Sequence, residues 1–328
     1  MKIGYFADGR WAHLALERIV QDDRFDVRFI VPRFDTRDPV LADWAARLKI
    51  DFLPLESVNA PENLALLAGF DADIFVSMSF NQILRRQIIE MPKNGFINCH
   101  AGALPFYRGR NILNWALIND AKEFGVTVHY IDEGIDTGDI VKQKMLPISD
   151  EDNYATLLDR ASVLCAEILH LALVDLAEGK SARVPQSNVH PVGFYCGRRK
   201  EGDEWIDWNW TSRRIFNFVR AIGVPGPCAR TAIDGREIVV KQADLIPSAP
   251  EYIGTAGEIV GVCPEGIVVK TADTTILLKV IDSPAGMRLR IGQRFGVNPA
   301  AILNDLLPRI CASEAPHPAK PPKAMVIP

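Results

Sequence analysis

Three residues of this chain carry side chains suited to acyl transfer to an amine: Asn98, His100 and Asp136. An asparagine amide donates to a developing oxyanion, and losing one such donor costs about 2.7–4 kcal/mol of barrier. An imidazole takes or holds a proton near neutral pH. A carboxylate orients that imidazole and stabilises its charge. Asn98 and His100 lie in the run Asn98-Cys99-His100, whereas Asp136 opens the distant run Asp136-Thr137-Gly138-Asp139. The expectation is that the fold gathers the three into one site. There Asp136 would raise the His100 pKa, and a protonated or proton-sharing imidazole would join Asn98 at the oxyanion. This chemistry requires neither a metal nor a covalent intermediate.

Alternating apolar runs position these groups. Residues 2–7, 25–31, 51–55 and 72–78 read as strands, and residues 13–20, 40–48 and 63–68 as helices between them. A helix over 83–91 stops at Pro92, and a strand over 95–99 delivers His100 at or just beyond its carboxyl end. Such alternation predicts an α/β fold, a Rossmann-like doubly wound sheet with functional residues at the carboxyl ends of its strands. The first turn, Asp8-Gly9-Arg10-Trp11, has one glycine and lacks the dinucleotide fingerprint, which argues against an NAD enzyme. Further on come a helix over 112–119, a strand over 125–132 and a polar turn over 132–139. In the strand, Val126, Val128 and Tyr130 share one face, and Thr127, His129 and Ile131 the other. Cys99, between the two candidates, points to the opposite face as a buried strand residue. A strand over 140–146 precedes a long helix over 154–178 with an apolar face.

After Gly179 the composition changes. Residues 1–180 are expected to form the catalytic domain and 181–200 a polar, proline-containing linker. Short strands broken by glycines over 201–311 suggest a small β-barrel-like domain, and the proline-rich 312–328 a flexible tail. Trp205, Trp208 and Trp210 read as core of the small domain in preference to a base-stacking platform. Charge is balanced, 37 basic against 41 acidic side chains for a net of −4, which argues against a polyanion-gripping protein. Six scattered cysteines without a CxxC pair speak against a metal cluster or a disulfide framework. With no signal peptide and no transmembrane-length apolar run, a cytoplasmic protein is expected.

The run from Asn98 to Gly109 resembles the Asn-x-His, Leu-Pro, Arg-Gly pattern of folate-dependent formyltransferases. Asn114-Trp115-Ala116, Gly125-Val126-Thr127-Val128-His129 and Asp136-Thr137-Gly138-Asp139-Ile140 match it in order and approximate spacing. Ile206-Asp207-Trp208, Arg220-Ala221, Pro225-Gly226-Pro227 and residues 254–258 resemble, over shorter motifs, the OB-like C-terminal domain of some members. By itself a histidine after a strand is more often structural, and Asp136 would be a turn residue. The surrounding pattern is what makes both catalytic candidates. One departure stands out: the family usually has serine two residues after the catalytic histidine, where this chain has Gly102.

The resemblance implies 10-formyltetrahydrofolate as formyl donor. Pterin recognition would fall to Phe80, Gln82, Ile83 and Leu84 in one loop and to Asp132 and Asp136 in another. Asp8, Gly9, Arg10 and Trp11, with Arg108, Gly109, Arg110 and Asn111, would border the acceptor. His129 is expected to support the site without carrying the proton. Family members that formylate methionyl-tRNA have a basic, glycine-rich insertion after the second strand; here that segment is the short, charge-balanced 32–39. This favours a small acceptor, a nucleotide-linked 3- or 4-amino dideoxy sugar destined for surface polysaccharide. Methionyl-tRNA formylation is the alternative, and a folate- or nucleotide-binding protein without turnover a third reading. Sugar-modifying relatives suggest a homodimer, although the sequence does not determine the oligomeric state, the sugar or the nucleotide.

Overall fold

A computed structural model describes residues 1–296 together with Leu303 and Leu307; the expected tail over 312–328 lies outside the described residues. The chain divides into two compact units, Met1–Lys200 with Arg220–Gly226, and Glu201–Val219 with the residues from Pro227 onward.

In the first unit the elements are β1 (Lys2–Ala7), α1 (Gly9–Val20), β2 (Asp26–Pro32), α2 (Pro39–Leu48), β3 (Asp51–Phe52), α3 (Pro61–Ala68), β4 (Ile74–Met78), α4 (Arg86–Ile89) and β5 (Phe96–His100). There follow β6 (Arg108–Gly109), α5 (Ile112–Ile118), β7 (Glu123–Tyr130), β8 (Ile140–Pro147), α6 (Tyr154–Ala177), α7 (Gln186–Val189) and β9 (Tyr195–Cys196). Seven strands form one sheet in the order β3-β2-β1-β4-β5-β7-β8. The strands from β3 to β5 pair parallel, and β7 and β8 extend the sheet antiparallel. The order reverses between β1 and β4, which opens a crevice at the carboxyl ends of those strands. His100 closes β5 at that same end.

Both faces of the sheet are covered, as the continuous apolar strands require. An aromatic cluster of Phe6, Phe29, Phe75 and Phe96 fills one side, with Phe6 edge-on to Phe29 at 5.8 Å and Phe75 edge-on to Phe96 at 5.4 Å. α1 and α6 each bury an apolar stripe, Ala12, Leu16 and Ile19 on the first, Leu157, Leu164 and Ile168 on the second. Asn153 starts α6 with a reciprocal capping box to Thr156.

Two expected elements shrink. The helix expected over 83–91 is only Arg86–Ile89. The preceding loop is held instead by Gln82, which accepts from Val58 N–H and donates to the Leu55 carbonyl, both at 2.9 Å. Asn59 adds bonds to Ile83 and Arg85. The strand expected over 51–55 is the two-residue β3 at the sheet edge. The segment expected as a linker groups with the first unit up to Lys200. It bridges Val184 to Ile140 and pairs β9 with β6.

The second unit contains α8 (Ser212–Ile222) up to Val219, and β10 (Ala229–Ile233), β11 (Arg236–Leu245), β12 (Ile259–Cys263), β13 (Gly266–Lys270) and β14 (Thr275–Asp282). These strands form an antiparallel sheet in the order β10-β11-β14-β13-β12. Bridges from Gly296 to Ala232 and from Arg294 to Glu258 tie the two edges together, which gives the sheet its barrel character. Trp208 is core: it stacks on Phe295 at 5.4 Å and donates its indole N–H to Thr231. Lys270 is buried, its ammonium donating to the carbonyls of Thr271, Asp273 and Thr274 at 2.8–3.2 Å beneath the Tyr252 ring. Lys270→Met strips three carbonyls of their donor and is expected to destabilise this unit by about 2–3 kcal/mol. Denaturant unfolding followed by tryptophan fluorescence measures this; an unchanged midpoint would show that the ammonium holds nothing.

Candidate active site

β5 and β7 run antiparallel with Asn98 opposite His129 and His100 opposite Thr127. Alternation puts Asn98 and His100 on one face; the Cys99 thiol reaches the Cys165 carbonyl of α6 at 3.6 Å. His129 Nδ1 stands 2.8 Å from the Tyr130 carbonyl, which can only accept, so that nitrogen bears the proton. Its Nε2 then accepts from Asn98 Nδ2 at 3.2 Å, which fixes the asparagine amide and leaves its second amide hydrogen for an oxyanion. His129 therefore supports Asn98.

The same reasoning assigns the His100 proton. Nε2 donates to the Tyr107 carbonyl at 2.7 Å, so Nδ1 is the atom able to accept a proton. Nδ1 faces Asp136 Oδ2 at 3.6 Å. That oxygen accepts from the Gly109 N–H at 2.8 Å, and Oδ1 lies 3.5 Å from His129 Nε2. Burial pushes the His100 imidazole below its ordinary value, against the opposing pull of the Asp136 carboxylate and the Tyr107 carbonyl. Asp136 pulls the imidazole pKa upward, as expected of it, but burial outweighs that pull, so the net shift is downward and favours a neutral His100. Burial also opposes ionisation of Asp136, yet His129 and His100 in their protonated forms, together with the Gly109 N–H, bring its carboxyl down to about 2.

Asn98, His100 and Asp136 line one cavity of about 840 Å³, with Trp11, Phe80, Gly109, Arg110 and Asn111 from the sequence-derived set. Arg33, Asn81 and Arg198 join them, unanticipated. Among the described residues, neither the Arg110 nor the Arg198 guanidinium has an ion-pair partner, whereas Arg33 donates to the Ser79 carbonyl. Other expected residues are turned to different tasks. Asp8 accepts from Thr36, Gly9 N–H donates to Asp38 at 2.7 Å, and Arg10 pairs with Asp159 at 2.5 Å. Arg108 donates to Gln186. Gln82 braces its loop, Leu84 packs on the aromatic core, and the Ile83 side chain is exposed. Asp132 accepts from Gly134 N–H and the Thr137 hydroxyl within its own turn. Among the described residues no group of three or more His, Cys, Asp or Glu is placed to hold a metal, and no helix is long and apolar enough to cross a membrane.

Geometry of this kind serves acyl transfer: an amide donor, a neutral imidazole with a free nitrogen, and an ionised carboxylate behind it. The sequence relatives agree. Residues 44–173 match the formyl transferase family and residues 199–295 the formyl transferase C-terminal domain. A methionyl-tRNA formyltransferase of Listeria monocytogenes serotype 4a (strain HCC23) is 34% identical over 250 residues, 76% of this chain and 78% of the relative. The chain belongs to the formyltransferase family. Among solved structures, the N-formyltransferase from Helicobacter canadensis in complex with folinic acid and dTDP-3-aminofucose shares the fold with TM-score 0.62 at 22% identity. That match covers 85% of this chain and 100% of the other. A 4-N formyltransferase from Francisella tularensis matches with TM-score 0.57 at 22% identity, over 71% of this chain and 92% of the other. The family match begins at residue 44, so Asp8–Trp11, expected to border the acceptor, and the short segment 32–39, where tRNA-formylating members carry an insertion, lie before it.

Proposed function

We propose that this formyltransferase moves a formyl group from 10-formyltetrahydrofolate to the amino group of a nucleotide-linked amino sugar. The observation that carries this reading is the cavity itself. A volume of about 840 Å³ suits a small ligand, and Arg110 and Arg198 line it without ion-pair partners beside Asn98, His100 and Asp136. Unpaired guanidiniums favour a phosphorylated acceptor. The folinic acid and dTDP-3-aminofucose named for the Helicobacter canadensis structure support both halves of the reading.

In this mechanism the acceptor nitrogen attacks the formyl carbon and an oxyanion forms, held by Asn98 Nδ2. The proton shed by the attacking nitrogen passes to His100 Nδ1. Asp136 stabilises the imidazolium, and His100 returns the proton to the donor nitrogen as the carbon–nitrogen bond to the donor breaks. The pterin would lie against residues 80–84 and the turn over 132–136.

A second reading, formylation of methionyl-tRNA, is favoured by the curated sequence relatives. An assay with 10-formyltetrahydrofolate and a panel of UDP-, dTDP- and GDP-linked 3- and 4-amino sugars, beside charged initiator tRNA, separates the two. Turnover of one amino sugar is expected, with KM raised at least roughly tenfold when Arg110 and Arg198 are both changed to alanine, a lower bound set by the loss of a single one of their two charge-assisted contacts. Turnover of the charged tRNA alone, with affinity falling steeply as salt rises, would establish the second reading.

A further inference from the structure

Gln186 lies in the segment whose composition reads as a linker, yet it is only 4% exposed. The bridge between Val184 and Ile140, with paired backbone bonds of 2.8 and 3.0 Å, carries it beneath the loop that ends β7. Its amide uses every hydrogen-bonding site it has. Nε2 donates to the Asp136 and Gly138 carbonyls, both at 2.8 Å. Oε1 accepts from Arg108 Nε at 3.1 Å and from Arg108 Nη2 at 2.7 Å. A neutral primary amide satisfies two carbonyls and a guanidinium at once; no other side chain of this size does so.

These bonds close a ring. Gln186 holds the Asp136 backbone and Arg108; the next residue, Gly109, donates its N–H to the Asp136 carboxylate. Asp136 is thereby gripped at its carbonyl and at its carboxylate. It needs that grip, because its φ of +53° is a left-handed conformation that non-glycine residues adopt at a cost. Released, the loop would carry the carboxylate away from His100 Nδ1.

We propose that Gln186 is a positioning residue for formyl transfer, fixing Asp136 against His100 and coupling that geometry to Arg108. The proposal rests on the catalytic reading of Asp136 given above, so its test includes a measurement that needs neither donor nor acceptor. Gln186→Met keeps the volume and removes all four bonds; Arg108→Met removes only the far side of the ring. Imidazole ¹⁵N spectra of the whole protein, with His100 assigned among the six histidines by a His100→Gln spectrum, report its titration. Asp136 and His129 are the titratable groups facing it. Gln186→Met is expected to move the His100 midpoint to lower pH as the carboxylate drifts off, and Arg108→Met to move it the same way by less. In the transfer assay kcat should fall at least tenfold with both KM values within threefold. A lowered melting temperature with an unmoved His100 titration would overturn the proposal and leave Gln186 a packing residue. If Gln186→Met does not fold, Arg108→Met decides by the same titration. If wild type formylates no acceptor, the function proposed above fails, and the titration still judges Gln186.

Discussion

Asp136→Asn should lower kcat roughly 100- to 1,000-fold, within the range that positioned proton transfer contributes, with little change in KM. Asparagine is the informative replacement. It tolerates the left-handed backbone at this position, with φ +53°, and its carbonyl oxygen can still accept from Gly109 N–H. What it lacks is the charge 3.6 Å from His100 Nδ1 that stabilises the imidazolium formed during transfer. The pH dependence gives a second reading. The neutral imidazole is the competent form, so the rate falls on the acid side as His100 protonates. Asp136 pulls that pKa up against the larger effect of burial, so its removal moves the acid limb to lower pH. Stability changes in a known direction too. A carboxyl depressed from 3.8 to about 2 contributes stability that is fully present above its ordinary value and lost as pH falls through about 2. While His100 is neutral its charge adds nothing to that contribution, so the loss at neutral pH stays below about 2 kcal/mol, too little to unfold the protein in the assay. A variant with kcat within fivefold of wild type and an unmoved acid limb would remove Asp136 from the mechanism.

How much of this site was legible in sequence depends on what holds each part. Continuous apolar runs specify the strands at the middle of a sheet, so β1, β4 and β5 and the place of His100 at a carboxyl end follow from residue type. The meeting of Asp136 with His100 does not follow from any periodicity. It depends on the left-handed turn at Asp136 and on main-chain groups, the Gly109 N–H and the Tyr107 carbonyl, which every residue possesses. Gln186 was hidden for a different reason. A polar, proline-containing stretch has the composition of a linker whether its glutamine faces water or two buried carbonyls. The helix expected over 83–91 is cut back to Arg86–Ile89 because Asn59 takes the Ile83 carbonyl and the Arg85 N–H as partners and Gln82 braces the loop before them. Arg198 joined the cavity through the β6–β9 pairing, a two-residue contact too short to leave a pattern.

Gly102→Ser is expected to be nearly as damaging as loss of the carboxylate, although it restores the residue usual at this place in the family. A β-carbon at position 102 would stand 2.4 Å from His100 Nε2 and 2.5 Å from the Tyr107 carbonyl oxygen, distances real β-carbons do not occupy. The backbone cannot step aside. The Gly102 carbonyl accepts from the fully buried Thr127 hydroxyl at 2.6 Å and from Leu104 N–H, and Thr127 is itself held by Gln143 at 2.8 Å. Tyr107 is equally constrained, its φ of +55° set within the loop that leads into β6. The imidazole is the part free to move, and moving it breaks the Nε2–H bond to Tyr107 that leaves Nδ1 open toward Asp136. The added hydroxyl would then compete for the displaced ring. Loss of kcat of roughly 100-fold follows if proton transfer is disabled while oxyanion stabilisation by Asn98 survives. Gly102→Ala separates clearance from hydroxyl chemistry, and both variants should lose the same His100 tautomer in ¹⁵N imidazole spectra. If Gly102→Ala keeps wild-type kcat and the Nε2–H tautomer, the imidazole does not need the space, and the seat against Tyr107 is not what prepares His100 to accept a proton.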